Sequence, residues 1–83
     1  MTAKTIADHL TAAHDAVAAL AADFKADGPE LSRLAGISGE LALVGQLALN
    51  EAGEATDEDK DGLSGAAIAL QEQSSELAAK AAA

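Results

Sequence analysis

Between residues 30 and 52 the chain carries apolar side chains on two sides of what the spacing predicts is one helix. Leu34, Ile37, Leu41, Val44 and Ala48 follow the three-and-four spacing of a core-facing seam. Leu43 and Leu47, with Gly36, point away from that seam, by about 120° at about 100° per residue. A helix with two apolar faces has to be covered on both. A chain of 83 residues makes one domain, and one modest core covers one face. The second face therefore predicts a second copy, or another protein, seated on Gly36, Leu43 and Leu47.

The flanking sequence predicts two more helices. In the first segment, approximately residues 2–26, Ile6, Leu10, Ala13, Val17, Leu20 and Phe24 alternate four and three apart, an unbroken heptad-like seam. Thr2 or Thr5 can cap its start through a hydroxyl. Asp27-Gly28-Pro29 then breaks the chain: Gly28 suits a left-handed residue after a helix end, and Pro29 suits the first turn of the next helix. So short a connection makes the flanking helices antiparallel neighbours. The middle segment, approximately 30–52, contains Gly36, Gly39 and Gly45, each costing up to about 1 kcal/mol against alanine. Either the helix is weak and kinked near Gly36–Gly39, or missing side chains let another helix come close. After Gly53 to Thr56, a capping pattern of Thr56 with Asp59 opens a third helix, approximately 57–79. Its seam is Leu63, Ala67, Leu70, Ser74 and Leu77. Ile68 lies off that seam by about 140° and is a candidate contact for a partner. Gly62 and Gly65 leave a start as late as Ser64 open.

Composition narrows the function classes. Eleven leucines, three isoleucines, two valines, one phenylalanine and one methionine are all the large apolar residues, and much of the 49% hydrophobic fraction is alanine. A core so built stabilises weakly at roughly 25 cal/mol per Å². No cysteine is present to add a disulfide or a thiolate metal site. Oligomerisation and regular helix packing are the remaining remedies. The net charge is −9, with five basic residues. That argues against direct nucleic-acid binding and against anionic membranes, and it allows a basic protein partner. No run approaches the ~20 apolar residues of a membrane span, and no signal peptide is visible. A cytoplasmic protein is the expectation.

The candidate chemical motifs are incomplete. Asp57, Asp59, Asp61 and Gly62 match the first half of an EF-hand calcium loop. The bidentate glutamate that should close it is replaced by Ile68, so a helix N-terminus rich in acids, which the helix dipole favours, is the simpler account of the run. Asp61-Gly62-Leu63 stands where an Asp-Ser-Leu would be needed for the gross compositional likeness to acyl carrier proteins to mean anything, and the hydroxyl is missing. His9 and His14 are five apart, about 140° around a helix, and cannot share a metal. His14, at the seam edge, reads as a packed residue. Ser38 lies mid-helix, where its hydroxyl can bond a preceding carbonyl. No nucleophile with a base, no phosphate loop and no desolvated carboxylate pair is found, so no enzyme and no cofactor are expected.

The sequence thus predicts an all-α protein, a single domain over residues 1–83: an antiparallel, up-down-up three-helix unit that dimerises into a larger bundle. The expected interface is Gly36, Leu43 and Leu47, with Ile68. The first function class is a non-enzymatic protein–protein interaction module, working as a homodimer or with a protein partner. The second is an acidic inhibitor masking a basic, nucleic-acid-binding surface, as a small phage or mobile-element protein would, with Asp57, Glu58, Asp59 and Asp61 its densest patch. The third is a weakly calcium-responsive module using Asp57, Asp59 and Asp61.

Overall fold

Three helices carry the chain: α1 (Ala3–Ala21), α2 (Pro29–Asn50) and α3 (Asp57–Ala81). The structure is a computed structural model and describes residues 2–83. Among the described residues there is no strand. The helices run up, down and up. Leu10 lies beside Gly45, and Gly45 beside Ala67, while Gln73 reaches His14. α2 and α3 share the most extensive contact. The result is a rod of 43 × 17 × 16 Å with a radius of gyration of 13.4 Å, against about 12 Å for a compact chain of this length. Its accessible surface is 5193 Å², where about 4,500 Å² is typical for its mass. Three long helices side by side leave much of each one wet.

Local chemistry fixes the helix starts. Thr2 Oγ1 accepts the amide of Thr5 at 3.1 Å and caps α1. Thr56 Oγ1 accepts the amide of Asp59 at 3.1 Å and caps α3, whose first turn carries Asp57, Glu58 and Asp59. Negative charge there complements the helix dipole. α3 therefore starts at Asp57 and runs unbroken through Gly62 and Gly65. Pro29 opens α2, and Gly28 precedes it with φ −83° and ψ 159°, an extended conformation rather than the left-handed one the sequence suggested.

α1 also departs from expectation. It ends at Ala21 rather than near Ala26, so residues 22–28 form a longer connection. The seam predicted to continue through Leu20 and Phe24 does not: both are exposed. Without burial to hold it, a further turn would have to form past Asp23 and Asp27, whose charges oppose the dipole at a helix C-terminus.

The core is built on small residues. Leu31, Leu34, Ala35, Ser38, Ala42 and Gly45 are the buried side of α2. Ile37 and Val44, which spacing assigned to the inner seam, are exposed. The inner face is thus turned by about one residue from the expected one. Close approach explains the turn. A Cβ on Gly45 would stand 2.9 Å from Ala67 Cβ and 3.1 Å from Leu10 Cδ1, and one on Gly39 would be 3.2 Å from Ser74 Oγ. Two of the three α2 glycines are therefore contact points and not weaknesses. Gly36 meets nothing within 4 Å. Small residues also lose almost no side-chain entropy on burial, which offsets part of their low apolar area.

A polar layer divides this core. Ser38 Oγ on α2 donates to Gln73 Oε1 on α3 at 2.7 Å, and Gln73 Nε2 donates to the His14 carbonyl on α1 at 2.9 Å. Beside it, Ser74 Oγ donates to the Ala35 carbonyl at 2.7 Å. On one side lie Ala7, Leu10, Ala42, Leu63, Ala66 and Leu70; on the other lie Val17, Leu31, Leu34, Ala35 and Leu77. Ser38 therefore bonds across the bundle and not back along its own helix. No buried side-chain nitrogen or oxygen among the described residues lacks a partner.

Gly45→Ala should destabilise the fold by about 1–3 kcal/mol, because Ala67 and Leu10 would have to move. Gly65→Ala, in open space on α3, should stabilise it by about 0.5–1 kcal/mol; urea unfolding of the two variants checks the opposite signs. Ser38→Ala should cost about 1–3 kcal/mol, since Gln73 Oε1 is left buried and unpaired. Combined with Gln73→Leu, the total should fall short of the sum of the single changes, as a double-mutant cycle would measure.

Candidate functional site

The outer side of α2 is the feature the fold leaves unused. Ile37 is 46% exposed, Leu43 61%, Val44 50% and Leu47 57%. Across the described residues, seven large apolar side chains are buried and seven are exposed, and four of the exposed ones are on this helix. Ile37, Val44 and Leu47 lie on one line with Arg33, Glu40 and Glu51, spaced four, three, four, three, four and all exposed, a heptad-spaced seam of three apolar and three charged residues, and Leu43 flanks it on the side of α3. Between Leu34 and Asn50 the only charged residue is Glu40, in a chain where 23% of residues are charged.

Of the residues singled out from sequence, Gly36, Leu43 and Leu47 are exposed on this side of α2. Ile68, on α3, is 51% exposed. It lies across a groove of about 300 Å³ from Leu43, floored by Gly39, Ala42 and Ala67. The groove brings Leu43 and Ile68 together, and their apolar surfaces continue one another. Ile37 and Val44 belong to the same surface and were missed as members of it. The signal that could have placed them was the small-residue series Ala35, Ser38, Ala42 and Gly45. It marks the face another helix approaches, and size alone argues the opposite way.

Charge gathers at one end of the rod. Glu51, Glu54, Asp57, Glu58, Asp59 and Asp61 all fall within eleven residues that hold a single Lys60. Glu51, Glu54 and Asp59 border a groove of about 780 Å³ between the α2–α3 connection and the start of α1. Asp57, Glu58 and Asp61 are exposed. The Asp57–Asp61 run is helical rather than a loop. Asp57 and Asp61 are one turn apart, while Asp59 is about 200° around from Asp57, so the three carboxylates do not converge. Among the described residues no group of three or more potential ligands could hold a metal ion.

The other sequence candidates have local roles. His9 is exposed, and His14 Nδ1 lies 3.3 Å from Asp15 Oδ1 on the next residue. The interior polar groups of Ser38, Gln73 and Ser74 are engaged with one another or with backbone. Among the described residues, no helix is long and apolar enough to cross a membrane. Comparison of the chain with protein-family models, with curated proteins and with solved structures gives no match.

Proposed function

We propose that this chain is a non-enzymatic protein–protein interaction module that works as a homodimer joined through the outer face of α2. The observation that carries the reading is the surface of Ile37, Leu43, Val44 and Leu47, each close to half exposed or more, on a stretch of helix from Ala35 to Leu49 whose one charge is Glu40. Contiguous apolar surface of this kind marks an interaction site more often than it marks an idle surface. The small core supports the same reading, because a chain with as many large apolar residues outside as inside gains much of its stability by burying the outer set. In such a dimer the acidic end remains free to meet other proteins.

A second reading is favoured by the gathering of six acids between residues 51 and 61. There the acidic end docks on a basic, nucleic-acid-binding surface of a different protein and competes with nucleic acid for it. Salt separates the two. An apolar contact between two copies of net charge −9 works against their mutual repulsion, so added salt should tighten it. An acid–base contact weakens steeply with salt.

Light scattering across concentration should give a mass twice that of the 8.2 kDa chain. Leu43→Glu with Leu47→Glu should weaken self-association by at least ~100-fold, since the leucine contacts of both copies are lost and carboxylates are added to two surfaces that already repel. Helicity should be retained, because both side chains are already outside the core. A double variant that sediments like the parent would remove α2 from the interface.

A further inference from the structure

We propose that the two copies meet antiparallel along α2, about a two-fold axis level with residue 42, so that Arg33 of each chain pairs with the partner's Glu51. This arrangement rests on the homodimer reading above and specifies its geometry. The outer seam reads four, three, four, three, four from either end, so reversing one helix keeps every level in register. Arg33 then stands opposite the partner's Glu51, Ile37 opposite the partner's Leu47, and Glu40 opposite the partner's Val44. Glu40 is the one seam charge near the axis, and its carboxylate can reach solvent over its own methylene stem. On the flank towards α3, Leu43 falls beside the partner's Leu43, with Ile68 at the margin. An antiparallel pair has this two-fold symmetry, which makes the patch self-complementary.

Charge selects this direction over the parallel one. Parallel helices would set Arg33, Glu40 and Glu51 each against the identical residue of the partner, three like-charge contacts. Antiparallel helices convert the outer two into opposite-charge pairs and stagger the two Glu40 side chains by about 6 Å along the axis. Arg33 makes no salt bridge in its own chain among the described residues. Glu51 caps the C-terminus of α2, whose last turn carries no basic residue, so its charge opposes the dipole there. The partner's Arg33 supplies the cation that end lacks. The whole rods are compatible with it: the acidic end of one copy, residues 51–61, lies alongside the less acidic end of the other, where Lys25, Arg33 and Lys80 nearly balance Asp23, Asp27, Glu30 and Glu76. The exposed parts of the four apolar side chains, with Ile68, amount to about 500 Å² per chain, so their complete burial would cover about 1,000 Å² in the pair, the lower bound for a specific interface.

The chain has no cysteine, so introduced thiols report cleanly. Arg33→Cys and Glu51→Cys are purified separately, then treated with a short bifunctional thiol cross-linker, alone and after mixing. The antiparallel pair yields covalent dimer only in the mixture, because thiols at the same position lie about 27 Å apart along the axis. The mixed dimer also keeps one native Arg33–Glu51 pair. Efficient cross-linking of either variant alone would overturn the antiparallel register and leave the dimer standing. A dimeric mass with no cross-linking anywhere would overturn the register and move the contact to another face. A monomeric mass for the parent chain would remove both readings. Arg33→Glu and Glu51→Arg should each raise the dimer dissociation constant roughly three- to ten-fold, and the double swap should return it to within about two-fold. A double swap as weak as the single changes would overturn the pairing.

Discussion

The hydrogen-bonded chain from Ser38 through Gln73 to the His14 carbonyl sets the arrangement of all three helices. Each member comes from a different helix, and the two side chains are buried. A buried amide or hydroxyl without a partner costs about 1–3 kcal/mol, a large share of the stability of so small a domain. Rotating or sliding any helix would break at least one of these bonds. The layer thus decides which side of α2 faces in. Because Ser38 has to reach Gln73, Ala35, Ala42 and Gly45 go inward with it, and Ile37, Val44 and Leu47 go outward.

The same choice links the interior to the surface. Glycine and alanine at the α2–α3 contact let the backbones approach, and close-packed backbone atoms replace side-chain volume as the source of dispersion contact. The consequence is a thin bundle in which Leu31 and Leu34 of α2 go inside while Ile37, Leu43, Val44 and Leu47 stay outside. The apolar stripe and the small-residue core are two sides of one helix orientation.

How much of this the sequence declares varies by element. Helix number, order and starts were legible, because caps and proline act locally: Thr2, Thr56 and Pro29 stand where expected. The seam of α3 was legible too, since Leu63, Leu70 and Leu77 are its only leucines and all are buried. The end of α1 was not, because Leu20 and Phe24 continue a pattern that nothing packs against. The orientation of α2 was half legible. Leu43 and Leu47 were placed outside, while Ile37 and Val44 were assigned inward on size. Hydrophobic spacing weighs each side chain alone, whereas the observed orientation follows from pairwise fits, the close approach at Gly39 and Gly45 together with the bond between Ser38 and a residue 35 positions away. Gln73 carried no sign in the sequence that it would be buried.

The polar layer has a further consequence for how the rod comes apart. It separates two apolar compartments, one holding Leu10, Leu63 and Leu70 and the other Leu31, Leu34 and Leu77. Each compartment closes one end, and no large side chain bridges them. An opening that begins at either end has to stop, energetically, at the hydrogen-bonded middle before it can reach the other. Amide exchange in such a molecule is expected to be slowest at mid-length and faster toward both tips. Its ends can then adapt their shape while the register between helices persists.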